Sequence, residues 1–120
     1  MLNLDTHILI RALSGGLTLR EERLLAGDQW GISAIVLWEL AKLSQLGRME
    51  LDIDAPEFAR ALSRIHIWPL DLDVCRRILT LDFRSDPADE IIAATSLVHH
   101  VPLVTRDRRI RSSGIVPLAG

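Results

Sequence analysis

The stretch Leu2-Asn3-Leu4-Asp5-Thr6 predicts a short buried strand that ends in an acid and leads at once into a helix. Similar short apolar segments recur along the chain and alternate with helical patterns: Trp30–Ser33, His66–Leu70, Val101–Val104 and Ile115–Leu118. Strands that alternate with helices in this way are typical of parallel βαβ units with helices on both faces. The sequence therefore predicts an α/β fold with three layers, α/β/α, around a short, mostly parallel sheet of about five strands.

Capping patterns mark where the helices begin. Thr6 is a candidate N-cap for the first helix, and Thr18-Leu19-Arg20-Glu21 has the capping-box pattern, with Gly27 as a suitable stop. The remaining predicted helices span Ala34–Leu46, Pro56–Ile65, Leu72–Leu81 and a longer segment from Asp86 to about His99.

Composition excludes several classes of protein. The chain has 120 residues, of which 48% are hydrophobic and 25% charged, so we expect one globular domain spanning residues 1–120. A net charge of -2 gives no bulk attraction for nucleic acid, so any such contact needs a local patch. The single cysteine, Cys75, excludes an internal disulfide and a zinc site built on paired cysteines, and we expect it in the core.

Neither a signal peptide nor a membrane span is expected. The first residues carry no basic flank and no small-residue cleavage site. No apolar run approaches the roughly 18 residues that a spanning helix needs. Together with the single cysteine, these features predict a cytoplasmic protein that makes no membrane contact.

Acidic residues follow two of the predicted strands. Asp5 ends the first strand, and Asp107 comes three residues after Val104. In open α/β sheets, ligands bind outside the carboxyl ends of the strands, where both acids would lie. A carboxylate that starts a turn or a helix is the alternative interpretation for each of them.

Glu39 lies on the apolar face of its predicted helix. At about 100° per residue, five apolar side chains of this helix lie within an arc of roughly 140°, and Glu39 lies in the same arc. The five are Ile35, Val36, Leu40, Leu43 and Leu46. A carboxylate on a buried face is costly unless it is paired or binds a metal. Glu39 therefore either forms a salt bridge to an arginine or belongs to a site that this face lines.

The segment Asp86-Pro87-Ala88-Asp89 is a good helix start. Asp86 is interpreted mainly as the cap, whereas Asp89 shares a face with Ile92 and Ala93 and can face the same sheet edge as the other acids. Four acids would then converge there: Asp5, Glu39, Asp89 and Asp107. Oxygen-only ligands select hard cations, so Mg²⁺ or Mn²⁺ is expected. One ion, or two about 4 Å apart, would activate a water and stabilise the leaving oxygen of a phosphodiester.

Four segments in this order resemble the PIN-domain ribonucleases, most closely the VapC-type toxins of bacterial toxin–antitoxin pairs. They are Leu4–Thr6, Ser33–Leu40, Asp86–Thr95 and Leu103–Asp107. The resemblance implies a metal-dependent endoribonuclease that acts on single-stranded or structured cellular RNA. It also implies a homodimer and an antitoxin protein that blocks the site.

The resemblance also assigns roles to individual residues. It implies that Asp5, Glu39, Asp89 and Asp107 are catalytic, and that all of these except Glu39 hold the metal. Thr6 and Thr105 would hold the acids or a water, and Asp86 matches a position that is commonly acidic. Three residues depart from the family pattern: Val36 replaces a serine, Ala88 an aromatic residue and Glu90 an arginine.

Arginines surround Asp107, in a chain with thirteen arginines and one lysine. They are Arg106, Arg108, Arg109 and Arg111. They form either a solvated loop or a clamp on RNA phosphates. The tryptophans could stack bases or pack in the core or a dimer surface; they are Trp30, Trp38 and Trp68.

Three other interpretations compete with a ribonuclease. A phosphoacceptor receiver domain would need a lysine late in the chain, whereas the only lysine is Lys42. A non-catalytic PIN-like module would bind RNA or a partner without cleaving RNA. A DNA nuclease would use the same chemistry, because no feature of the sequence visibly reads a 2′-hydroxyl.

Overall fold

A single parallel sheet organises the protein. The computed structural model describes residues 1–49 and 51–120. Four strands lie in the order β3-β2-β1-β4; they are β1 (Leu2–Leu4), β2 (Trp30–Ser33), β3 (His66–Trp68) and β4 (Leu103–Val104). The central strand β1 pairs with both neighbours through Asn3, which faces Gly31 on one side and Leu103 on the other. The expected parallel α/β sheet is confirmed.

The fifth predicted strand, Ile115–Leu118, is wrong. Only Leu118 forms a bridge, with Leu103, and Pro117 has no N–H to offer a ladder. Just before this segment, Asp82 accepts bonds from the Ser113 hydroxyl at 2.6 Å and from the Gly114 N–H at 2.7 Å. Ser113 and Gly114 therefore form a turn, and the segment that follows pairs with the sheet at a single residue, Leu118.

Seven helices accompany the strands in the described residues. They are α1 (Thr6–Ser14), α2 (Leu19–Ala26), α3 (Ala34–Gln45), α4 (Pro56–Leu62), α5 (Leu72–Ile78), α6 (Pro87–His99) and α7 (Arg108–Arg111). The capping box of α2 is confirmed, with Thr18 and Glu21 bonded reciprocally. The cap of α1 is Asp5 rather than Thr6, because the Asp5 carboxylate accepts the Thr6 N–H. Both α4 and α5 end three residues before their predicted ends.

Helix α6 is joined to the central strand by a buried polar contact. The Asn3 Nδ2 donates to the Ile92 carbonyl at 3.1 Å and to the Ser96 hydroxyl at 2.9 Å. Around it lies an apolar core whose largest members are almost fully buried; these include Leu4, Ile32, Leu40, Ile92 and Leu103. The amide of Asn3 thus fixes the start of β1 against α6 inside a well-packed interior.

Gly31 is required by the packing of Trp68. A Cβ at Gly31 would lie 2.4 Å from the Trp68 ring, a distance that no packed side chain tolerates.

The three tryptophans differ in exposure: Trp68 is buried, Trp30 is half-buried, and 55% of Trp38 is exposed.

The prediction that Cys75 lies in the core is wrong. Cys75 is exposed, because the short helix α5 turns Val74 inward and its neighbour outward.

No helix in the described ranges is both long enough and apolar enough to cross a bilayer.

Candidate active site

Four carboxylates gather at the carboxyl edge of the sheet. Asp5 ends β1, and Asp107 precedes α7 just after β4, while Glu39 and Asp89 approach from the helices α3 and α6. Their negative charges are close enough to disfavour one another's ionisation: Asp5 is affected by Asp107, Glu39 by Asp5 and Asp89, and Asp89 by Asp5 and Asp107. The structure therefore brings together the four acids that the sequence singled out.

Asp5 is buried and held at both of its oxygens. Oδ1 accepts the Thr6 N–H at 2.7 Å, and Oδ2 accepts the Thr105 hydroxyl at 2.6 Å. Burial raises the pKa of Asp5 and outweighs these two bonds, which act in the opposite direction. Both predicted supporting threonines thus contact the acid at the end of the central strand.

Glu39 is linked to Asp5 through Thr6. The Thr6 hydroxyl donates to Oε1 of Glu39, while the Thr6 N–H binds Asp5. Burial is the main reason why the pKa of Glu39 is raised, and the charges of Asp5 and Asp89 add to it. Among the described residues no arginine pairs with Glu39, so the salt-bridge alternative is wrong.

Asp89 lies in the first turn of α6, half-buried, and accepts the Ser85 hydroxyl at 3.0 Å on Oδ2. Burial raises the pKa of Asp89, and the charges of Asp5, Asp107 and Asp86 raise it further. Ser85 is not predicted from the sequence, where its only distinguishing feature is a hydroxyl four residues before the acid. Its hydroxyl holds Asp89 as the Thr105 hydroxyl holds Asp5.

Asp86 occupies the N-cap position of α6, as predicted. It is exposed, however, and its side chain makes no capping hydrogen bond. Asp86 therefore contributes to the site through its negative charge, which acts on Asp89.

Asp107 combines a structural and a site position. Its Oδ1 accepts the N–H groups of Arg109 at 2.9 Å and Ile110 at 3.0 Å and so caps α7. Its own N–H donates to the Thr105 hydroxyl at 3.0 Å. Because that hydroxyl accepts from Asp107, its proton is directed toward Asp5. Thr105 is thus the bridge between two of the four acids.

The chemistry of the donor set fits a hard divalent cation. Within residues 1–49 and 51–120, none of the four carboxylates pairs with a basic side chain, and all their free donors are oxygens. In the same ranges, no three carboxylate, imidazole or thiol groups are already arranged to hold an ion. The site is therefore a cluster of like charges without a salt bridge, although the charge of His7 lowers the pKa of Asp5 and of Glu39. Side-chain movements would be needed to close it around a cation.

The four arginines near Asp107 differ in what they contact. Arg106 pairs with Glu21, and Arg111 donates to the carbonyls of Thr105 and Gly120. Arg109 donates to a backbone carbonyl at 3.0 Å. Arg108 is exposed, and its guanidinium has no hydrogen-bond partner in the part of the chain that is described. All four arginines are exposed, but three of them bond other parts of the protein and Arg108 does not in the described residues.

Comparison with known proteins identifies the family. The PIN domain model matches residues 3–114. Ribonuclease VapC22 of Mycobacterium tuberculosis is 35% identical over 89 residues, which cover 71% of this chain and 68% of the relative. A toxin–antitoxin complex from Klebsiella pneumoniae has a TM-score of 0.74 at 25% identity, covering 100% of this chain and 97% of its own. VapBC2 from Rickettsia felis, bound to a promoter DNA fragment, shares the fold at 21% identity and a TM-score of 0.73, covering 99% and 98% of the two chains. The chain therefore belongs to the PIN-domain family and, within it, to the VapC group.

Proposed function

We propose that this protein is an endoribonuclease toxin that depends on Mg²⁺ or Mn²⁺. The observation that carries the proposal is the cluster of Asp5, Glu39, Asp89 and Asp107, which forms no salt bridge in the described residues. The VapC relative, which is named a ribonuclease, supports RNA as the substrate. The toxin–antitoxin complex with the same fold supports the role of a toxin.

Asp5, Asp89 and Asp107 are the residues that would hold the metal. When bound, a divalent cation supplies positive charge for the phosphodiester and favours a nucleophilic water. The protein contributes the arrangement of these acids, because Thr105 fixes Asp5 and Ser85 fixes Asp89. Because two of the acids are already fixed, less rearrangement is needed during the reaction, and such preorganisation is a large source of catalytic rate.

Glu39 is suited to accept a proton. The Thr6 hydroxyl engages Oε1, which leaves Oε2 without a hydrogen bond in the described ranges. Because burial raises the pKa of Glu39, its carboxylate is a better base than a free glutamate. We assign Glu39 Oε2 as the acceptor of the proton that the attacking water loses.

The direct test is incubation of purified protein with a pool of cellular RNAs, with Mg²⁺ or Mn²⁺ and with EDTA. Cleavage that requires the metal supports the proposal, and full activity in EDTA would exclude the metal mechanism. RNA binding without any cleavage would favour a non-catalytic PIN-like module. Cleavage of DNA but not of RNA would favour the DNA nuclease.

Surface arginines beside Asp107 are expected to bind RNA phosphates. Replacing Arg108 and Arg109 by Ala together should weaken RNA binding and reduce its salt dependence, by about 1.4 in the slope if two phosphate contacts to a single strand are lost. Affinity measured at several salt concentrations checks this. An unchanged slope would leave these arginines as a solvated loop.

An antitoxin protein is the first partner that the proposal implies. Expression of the chain alone in bacteria should arrest growth, and coexpression of a small antitoxin encoded by a neighbouring gene should restore it. Normal growth with folded protein would remove the toxin role and leave a nuclease. The cytoplasm, where such a toxin meets RNA, is the expected compartment.

The resemblance to VapC-type toxins also implies a homodimer. The surface that we assign to it is an apolar groove of about 340 Å³ between the first turns of α3 and α6, lined by Trp38, Leu70 and Pro87 among others. Light scattering by the purified protein reports the assembly, and a monomer at all concentrations would contradict the assignment.

A further inference from the structure

Arg106 bonds Glu21 and Gly16 rather than the four acids of the site, and so joins two distant parts of the chain. Its Nε donates to Glu21 Oε2 at 2.7 Å, and its Nη2 donates to Glu21 Oε1 at 2.5 Å and to the Gly16 carbonyl at 3.1 Å. A two-pronged pairing of guanidinium and carboxylate fixes direction as well as distance. The contact therefore ties the corner between α1 and α2 to the segment that follows β4.

Glu21 is prepared for this contact by its own helix. Its Oε1 also accepts the Thr18 N–H at 2.8 Å in the capping box of α2. The bonds from Arg106 are the main reason why the pKa of Glu21 falls to about 2. The pair therefore stays charged at any pH suited to an RNA cleavage assay.

The segment that Arg106 holds contains Thr105, which lies beyond the end of β4. Hydrogen bonds from side chains fix Thr105 here: its hydroxyl binds Asp5, and Arg111 Nη1 donates to its carbonyl at 3.2 Å. Arg106 is the next residue along the chain. An anchored Arg106 consequently restricts where the Thr105 hydroxyl and the Asp107 carboxylate can lie.

We infer that Arg106, through Glu21, is a positioning residue that holds Thr105 and Asp107 in place against Asp5. The inference rests on the proposed function, since these acids form the proposed site. It gives Arg106 a role different from that of the surface residue Arg108, which is expected to contact phosphate. Displacing a catalytic group by about 1 Å can cost on the order of 10²-fold in rate.

Kinetics of five variants separate positioning from phosphate binding. Arg106→Ala should lower kcat by about 10- to 100-fold, as loss of a supporting contact does, with little change in KM. Glu21→Gln should lower kcat too, and the double variant should be no worse than the poorer single variant, because both act through one contact. Arg106→Lys keeps the charge but not the fork, so it should also stay impaired. Arg108→Ala should instead raise KM.

A control and a second readout keep the test independent of RNA cleavage. Hydrogen exchange of residues 103–111 should speed up in Arg106→Ala and Glu21→Gln. It should stay unchanged in Arg23→Ala, which removes an exposed arginine from the same helix as Glu21. If Arg106→Ala fails to fold, Arg106→Lys serves for both measurements.

Several outcomes would overturn the inference. They are a raised KM at full kcat in Arg106→Ala, losses that add up in the double variant, recovery of kcat in Arg106→Lys, and unchanged exchange of residues 103–111. If the wild type cleaves no RNA, the proposed function fails, and the exchange experiment still decides whether Arg106 and Glu21 hold the segment.

Discussion

Asp5→Asn is expected to lower RNA cleavage by at least roughly 10²- to 10³-fold, the loss that follows removal of one group stabilising a transition state. The variant loses a negative charge at the centre of the acid cluster. It should still fold, because asparagine is as good an N-cap as aspartate for α1, and its amide can still meet the Thr105 hydroxyl. Cleavage rates and circular dichroism, measured on the same preparation, check both expectations.

Asp73→Asn is the matched control for this experiment. Asp73 lies in the first turn of α5 and is exposed, so the same chemical change there alters net charge without touching the cluster. Its cleavage rate should equal that of the wild type. Wild-type activity in Asp5→Asn, or an equal loss in both variants, would contradict the assignment of Asp5 to the site.

Asp89→Asn is expected to raise the melting temperature of the metal-free protein while it abolishes activity. Burial and the neighbouring acids raise the pKa of Asp89 above its ordinary value of 3.8. The folded protein then keeps a proton that the unfolded chain releases, so the contribution of Asp89 to stability is lost as pH rises from about 3.8 through the folded pKa. An amide has no charge to lose and can still accept the Ser85 hydroxyl.

Mg²⁺ should reverse the order of the two melting temperatures, so that the wild type melts above Asp89→Asn. A ligand at tenfold excess over its dissociation constant stabilises the folded state by about 1.4 kcal/mol, which corresponds to several degrees in melting temperature. The variant should gain less, because it offers one carboxylate fewer. Thermal melts of both proteins in EDTA and in Mg²⁺, at pH 5 and above, check the prediction. If the variant melts below the wild type in EDTA and Mg²⁺ shifts neither melting temperature, Asp89 belongs to no shared metal site and serves only at the start of α6.

Local patterns in the sequence predicted the elements that present the acids. A strand that ends in Asp5, an apolar arc that includes Glu39 and a helix start at Asp86 each depend on residues a few positions apart. The parallel arrangement then follows from alternating strands and helices, and it brings the strand ends to one edge. These are the features in which sequence and structure agree.

The supporting contacts could not be predicted in the same way. Thr105 meets Asp5 from 100 positions away, Arg106 meets Glu21 from 85, and Asn3 meets Ser96 from 93. No periodicity or capping rule relates such residues. The arginines near Asp107 are therefore alike in sequence, although Arg106 and Arg111 donate side-chain hydrogen bonds and Arg108 donates none in the described residues.

Short elements account for the structural errors. Helix α5 has only seven residues, too few for its apolar side to be read reliably, and Cys75 was assigned to the wrong side of it. The segment Ile115–Leu118 is apolar enough for a strand, but contacts to Asp82 hold the preceding turn in place. In both cases a tertiary contact decided what local propensity left open.

The central position of β1 has a consequence for the timing of synthesis. β1 is synthesised about 100 residues before β4, yet it pairs with β4 on one side, and Asp5 at its end is held by Thr105. A nascent chain that stops before residue 103 lacks this neighbour and the fourth acid. If the protein is the toxin we propose, the cell that makes it is protected from copies that stop before β4, because the nuclease site needs Thr105 and Asp107.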